Sequence, residues 1–262
     1  MNNKMKRLRA QFQQYKPLMR ELVVRDLKLK YRRSFLGYVW SLLNPLLMMT
    51  VMSVVFSYMF RFDIPNYPLY LICGQTLWTF FNESTNMAMH SVLQNGSLIR
   101  KVYIPKYIFP ISRVLSSFVT MGFSLVAILI VMLVTRVPLS VQLLLVPVPL
   151  IFLLIFSTGM GMILSALSVY FRDIVHLYGV LTMAWMYVTP IFYPASALPE
   201  NVAVLLNLNP MHHFISFFRE LVLYATIPGV NVWLSCVVSS LLVFAIGVWV
   251  FHKLQRNFIL HV

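Results

Sequence analysis

Six apolar runs, near 36–60, 69–90, 111–135, 141–169, 174–193 and 231–251, take up more than half of this 262-residue chain. Each can cross ~30 Å of hydrocarbon, which takes about 20 helical residues. A bilayer leaves such runs few options. It offers no water to satisfy backbone N–H and C=O groups, so a spanning segment must bond internally as a helix or close with others into a barrel. The mean hydropathy is +0.79 and 11% of residues are charged, against about 25% in soluble domains. A soluble fold could not cover that much apolar surface. The expected fold is an all-α membrane protein with six transmembrane helices over residues 36–262.

The charges say how the runs are threaded. Eleven of the 21 Lys and Arg residues precede Ser34, and most of the rest fall in short gaps between runs. Placing the N-terminus inside puts eighteen of them on the inner side, leaving Arg61, Arg136 and Arg219 outside. This asymmetry predicts an N-in, C-in topology. It argues against a nucleic-acid groove, despite the net charge of +14. Within residues 1–35, Leu8, Phe12, Tyr15, Met19, Leu22, Val23 and Leu27 recur at steps of three and four among basic residues. The spacing predicts an amphipathic helix in the cytoplasmic interface plane, interrupted or begun at Pro17.

The second run carries Gln75, Asn82, Glu83, Asn86 and His90, so it must face protein or water. Glu83 is expected near the outer half, as a paired structural acid or as the single titratable group of a carrier. Residues 194–230 hold two short helical patterns, Pro199–Leu208 and Met211–Tyr224, separated by Asn209-Pro210. In the second, Phe214, Phe217, Phe218, Leu221 and Tyr224 form an apolar side with Arg219 and Glu220 as polar neighbours. About 14 residues reach only ~21 Å, so a re-entrant helical hairpin is expected between spans five and six, with an amphipathic surface helix as the alternative.

Several chemistries lack their residues. No G-x-x-x-x-G-K-[ST] occurs, so the chain has no phosphate-cradling loop and hydrolyses no nucleotide. No histidines pair at metal-ligand spacing, no carboxylate pair suggests glycosyl chemistry, and Cys73 and Cys236 read as two packed thiols. No catalytic residue, metal or cofactor is expected in this chain. Uphill transport would need a separate ATPase on the inner face. Three docks are available there: the helix at 10–33 with Arg25 and Lys28, the hairpin at 95–110 with Arg100, Lys101 and Lys106, and the turn at Arg172-Asp173.

The stretches RDLKLKYRRSFLGYVWSLLNPLL at 25–47, LIRKVYIPKYIFP at 98–110, SVYFRDI at 168–174, TPIFYP at 189–194 and NLNPMHHFI at 207–215 stand in this order. In this the chain resembles the membrane subunits of bacterial ABC exporters for polysaccharides such as O-antigen, capsule, teichoic acid or wall rhamnan. The resemblance implies a multi-pass protein of the bacterial cytoplasmic membrane that works as a homodimer. Each copy would pair with a nucleotide-binding subunit holding ATP and Mg, contacted by the N-terminal helix and the first cytoplasmic hairpin. Spans one and five would line the path between the copies, and the outer hairpin would help close the exit.

On that reading Tyr38, Trp40, Phe56, Tyr58, Trp185, Tyr187, Phe192 and Tyr193 are candidate channel-lining residues, since aromatic rings stack on sugar faces without selecting one linkage. The alternative for each is an interfacial belt or helix packing. Arg32, Arg33 and Arg113, at the inner surface with Arg100, Lys101 and Lys106, are candidates for the pyrophosphate of a lipid-linked substrate, or for ordinary anionic lipid. Pro45 and Pro190 are the expected hinges. A permease for a small amphiphile or lipid, and a motor-free carrier depending on Glu83, are the alternative functions.

Overall fold

The computed structural model describes residues 2–32, 36–59, 64–102, 104–199 and 206–258, with side chains from Gln14 on except at Tyr31 and 57–59. The helices are α1 (Asn2–Tyr31), α2 (Trp40–Met59), α3 (Tyr67–Gln94), α4 (Gly96–Lys101), α5 (Ile108–Val134), α6 (Pro147–Tyr170), α7 (Ile174–Val188), α8 (Pro210–Val222) and α9 (Val230–Leu254). Short 3-10 turns precede α2 and α6 and follow α9. No strand occurs among the described residues.

Four segments are long and apolar enough to cross a membrane: Gly37–Phe56, Ile108–Val134, Val141–Tyr170 and Val230–Asn257. They make this a multi-pass membrane protein. Helix α3 also has spanning length at 28 residues but carries the polar positions noted above. It occupies the centre of the fold, packed against α2, α5, α6 and α8. Leu69, Ile72, Leu77, Phe81 and Ala88 on it are fully buried, and its polar residues Gln75, Asn82, Glu83, Asn86 and His90 are half-buried.

The fifth run departs from expectation. Helix α7 has 15 residues and stops at Val188, not near 193. The cause is local: Pro190 disfavours the helical conformation at the residue before it, and Thr189 is extended, at φ −84° and ψ 128°. Pro45, by contrast, lies within α2. Its missing N–H removes the intrahelical donor to the Ser41 carbonyl, and the Ser124 hydroxyl of α5 approaches that oxygen at 3.5 Å.

Helices α6 and α9 share the most extensive contact in the fold, made possible by two glycines. A Cβ on Gly159 would lie 2.6 Å from the backbone of Phe244, and one on Gly247 would collide with the Gly159 carbonyl oxygen. Gly161, on the other side of α6, meets Ala88 of α3, with 2.7 Å between its would-be Cβ and that of Ala88. Between apolar helices in lipid there is no hydrophobic gain on association, and close backbone approach through small residues takes its place.

Gly159→Ala or Gly247→Ala should destabilise the chain by about 1–3 kcal/mol through overpacking, seen as a lower thermal midpoint in bilayer discs. Gly122→Ala, at a helical site with no atom within 4 Å of the new methyl, should leave the midpoint unchanged or raise it.

Candidate functional site

The chain leaving α7 is unwound where a membrane protein can least tolerate it, because its carbonyls have lost their helical donors. Arg219 of α8 supplies replacements. Its Nη1 donates to the Pro190 carbonyl at 2.8 Å and its Nη2 to the Ile191 carbonyl at 2.9 Å. Nε and Nη2 donate to the Tyr70 carbonyl of α3 at 3.2 and 3.0 Å. The guanidinium also lies over the Tyr70 ring, 3.4 Å from its centroid, and the residue is 5% exposed. No carboxylate pairs with it among the described residues. The cation is held by backbone dipoles and an aromatic face, and charge-assisted bonds of this kind contribute ~1.5–3 kcal/mol each. A Cβ on Gly74 would come within 2.6 Å of Nη2, so that glycine opens the space the guanidinium occupies.

Tyrosines and an asparagine complete the clamp. The Tyr70 hydroxyl donates to the Tyr193 carbonyl at 2.8 Å and approaches that of Pro190 at 3.2 Å, and the Tyr67 hydroxyl donates to Phe192 at 2.7 Å. Asn209 caps α8: its Oδ1 accepts from the Met211 and His212 amides and from the Trp185 indole at 2.8 Å. Its Nδ2 donates to the Thr189 hydroxyl at 3.0 Å. The motifs at 189–194 and 207–215 thus meet. Arg219 was read from sequence as a polar neighbour on an outer helix, and is instead buried at the junction. Tyr224 was read as part of the apolar side, yet is 48% exposed while Phe214, Phe217, Phe218 and Leu221 are buried. Of the first hairpin helix, Pro199–Leu208, residues 200–205 lie outside the described residues.

At the opposite end, α1 runs along α5. Tyr15, Leu18, Met19 and Leu22 join Ile99, Ile108, Phe109, Val169 and Phe251 in one cluster. Asp26 is buried, 2.9 Å from Arg113 Nη1 on α5, with the Ser116 hydroxyl at 3.4 Å. Four residues on, Lys30 pairs with Glu83 of α3. Glu83 is therefore an ion-pair partner of α1, as pairing predicted, but it lies past the midpoint of α3 toward Gln94, not in the half expected.

The sequence-predicted site residues scatter accordingly. Arg113 is committed to Asp26, with Nη2 donating to Gln94 at 2.9 Å. Lys106 donates to the Gln255 carbonyl at 2.6 Å and faces the Phe258 ring. It caps the C-terminal end of α9, and burial lowers its pKa from the ordinary lysine value. Arg100, Lys101, Arg172 and Asp173 are exposed. Arg25, Lys28 and Arg32 come together with Glu21 around a cavity of about 460 Å³ on α1. Arg33 and the Tyr58 side chain lie outside the described residues.

Of the predicted lining residues, Tyr38, Trp40 and Tyr187 are exposed. Phe56 stacks on Phe192 at 5.6 Å, and the Tyr193 hydroxyl donates to the Tyr187 carbonyl. Trp185 packs edge-on to Trp78 and Phe81. Sequence reasoning did not single out a cavity of about 320 Å³ between α3 and α7, lined by Trp78, Asn82, Asn86, Gly179, Thr182 and Met183, with Met186 beside them. Its signal was Asn82 and Asn86, spaced to share one helix face.

The sequence profile described as "ABC-2 type transporter" matches residues 17–223. The chain is 29% identical over 254 residues to the O-antigen export system permease protein RfbA of Myxococcus xanthus, covering 96% of this chain and 98% of that one. It is 29% identical over 235 residues to RfbA of Klebsiella pneumoniae, 89% and 90% of the two chains. It is 21% identical over 224 residues to the polysialic acid transport protein KpsM of Escherichia coli, 84% and 85%.

Arg219→Lys keeps the charge but offers one nitrogen for three carbonyls. We expect a loss of about 3 kcal/mol, read as a fall in melting temperature of roughly 5–10 °C. Gly74→Ala should destabilise in the same direction by crowding Nη2.

Proposed function

We propose that this chain, which belongs to the ABC-2 type transporter family, forms as a homodimer the conduit that exports a lipid-linked polysaccharide across the bacterial cytoplasmic membrane, driven by a separate ATPase. The polysaccharide class comes from the O-antigen and polysialic acid exporters it is similar to. The ATPase requirement comes from the family and from the missing nucleotide-binding loop.

The observation that carries the conduit is the cavity of Asn82, Asn86 and Thr182 between α3 and α7. Asn82 lies 15 residues along α3 from Tyr67, about 22 Å at 1.5 Å per residue, so the opening sits just past the midpoint of this 28-residue helix, on the side where Lys30 of α1 meets Glu83. Polar amides there need water, a hydroxyl-rich ligand or protein. Helix α7, which forms one wall of the opening, and α2, which does not line it, are both little covered. Only 6% of the apolar window of α2 is buried, and Tyr178 and Thr182 are the buried positions of α7. Exposed Asn44 on α2 fits a water-filled path or a second copy better than lipid. On this reading α2 and α7 face their counterparts across the dimer axis, α3 supplies a polar wall, and Tyr38, Trp40, Phe56, Tyr187 and Tyr193 give the glycan aromatic footing.

The substrate's two ends need different surroundings. Arg25, Lys28 and Arg32 form a basic seat for the pyrophosphate at the inner surface, where Arg113 is already neutralised by Asp26. The apolar groove between α6 and α7, about 630 Å³ and lined by Met160, Leu164, Leu177 and Leu181 among others, suits the hydrocarbon tail. The topology is six spans, N-in and C-in, with α8 the inner arm of a re-entrant hairpin. Exposed Arg100, Lys101, Arg172 and Asp173 face the ATPase, whose closure on ATP pushes on α1. The ion pairs of Asp26 with Arg113 and of Lys30 with Glu83 carry that push to α5 and α3.

Removing the chain should leave polymer accumulating in the cytoplasm and none at the surface, restored by the wild type with its ATPase. Arg100→Glu with Lys101→Glu should insert at normal level yet cut surface polymer at least tenfold, scored by surface labelling. Normal surface polymer without the chain would contradict the reading.

A further inference from the structure

Beside the Arg219 clamp, opposite the core face of α8, lies a cavity of about 270 Å³ that the conduit does not use. Its wall includes Ile64, Pro65, Pro194 and Ala195, and four side chains of one stripe: His212, Ser216, Glu220 and Tyr224. These recur at steps of four, which places them on one side of the helix and its exit. The other side, with Phe214, Phe217, Phe218 and Leu221, is buried. No hydrogen bond or ion pair ties the side chains of His212, Ser216, Glu220 or Tyr224 to another described residue. The Arg219 guanidinium borders the same space and engages four of its five N–H groups. One hydrogen on Nη1 remains.

The wall thus brings together an acceptor-only carboxylate, a hydroxyl, an imidazole and a phenol. That mixture suits a neutral ligand that both donates and accepts. An anion fits poorly, because Glu220 would repel it and the charge of Arg219 is already turned toward three carbonyls. A purely apolar ligand would strand the polar stripe without partners. A polyhydroxylated ring satisfies both halves: its hydroxyls donate to Glu220 and accept from Ser216 or His212, while its C–H face rests on the half-exposed Tyr224 ring. The volume is just under the ~300 Å³ at which pockets for drug-sized ligands begin, room for one sugar ring and not a chain of them.

We propose that this cavity is a monosaccharide subsite, separate from the conduit between α3 and α7, in which one neutral pyranose unit docks against the His212–Ser216–Glu220–Tyr224 stripe of α8. The proposal rests on the polysaccharide-export reading for the origin of that sugar. In that setting the subsite holds one residue of the glycan beside the unwound segment 189–194, so occupancy bears directly on the clamp that shapes the exit.

The test uses the full-length chain in phospholipid discs free of glycoside detergents, with saturation-transfer NMR on methyl glycosides of mannose, glucose, galactose and rhamnose, and inorganic phosphate as the anion control. The expected result is saturable binding of at least one glycoside, unaffected by phosphate. Glu220→Gln and Tyr224→Ala should each weaken it at least tenfold, with thermal midpoints near wild type. Asn82→Ala, in the other cavity, should leave it within twofold. No saturable glycoside binding, competition by phosphate, or binding indifferent to both α8 variants would overturn the proposal. Its failure is separable from that of the export reading: if surface polymer depends on the chain while no glycoside binds, only the subsite falls. If glycosides bind at the stripe while surface polymer is normal without the chain, the sugar site stands and its export role falls.

Discussion

A buried cation with no carboxylate partner among the described residues organises this molecule. Arg219 enters the core because the chain after α7 must leave the helix at Pro190, and the freed carbonyls of Pro190 and Ile191 need donors where water is scarce. A guanidinium answers that need unusually well. It has five N–H groups in a fixed fork, it stays charged, and it stacks on an aromatic face. The cost of burying it is offset by three carbonyl dipoles and the Tyr70 ring. In return it ties α3, the exit of α7 and α8 into one body. Asn209 and Thr189 close the same loop from the other side.

The far end of the fold is held by different means. There α1 is fastened by two ion pairs, the buried one at Asp26 and the more exposed one at Lys30. Exposed pairs contribute little to stability, while breaking a buried one leaves an uncompensated charge. Asp26 and Arg113 therefore anchor α1, and Lys30 with Glu83 sets where its end rests on α3. Between the two ends, Gly159 and Gly247 lock α6 to α9, and α3 is enclosed. What stays open is α2, α7 and the polar cavity beside Asn82, the parts that the proposed dimer would use. The rigid and the adaptable regions are thus segregated within one copy.

Much of this was written in residue patterns. Apolar run length marked four segments that are long and apolar enough to cross a membrane, because one periodicity and one length govern them. The polar positions of the second run marked it as enclosed, and α3 is the central helix. Asn209-Pro210 marked the start of α8, where cap chemistry is local. Partnerships between distant segments were not legible. Arg219 looked like any outer arginine, since nothing near it in sequence shows that it meets carbonyls 28 and 29 residues away. Lys106 and Arg113 looked like ligands for phosphate because both lie in a basic stretch, yet each finds a tertiary partner, Gln255 and Asp26. Tyr224 was misplaced by assuming one apolar face where the helix has a buried side and a polar stripe.

The central claim is that Arg219 holds the unwound segment by direct bonds to its carbonyls. Dipolar dephasing in bilayers, between guanidino ¹⁵N of Arg219 and ¹³C-labelled carbonyls of Pro190 and Ile191, measures this without altering the protein. The account predicts strong dephasing for both carbonyls, as contacts of 2.8 and 2.9 Å between nitrogen and oxygen require. Full retention of the carbonyl signals would place the guanidinium elsewhere and contradict it.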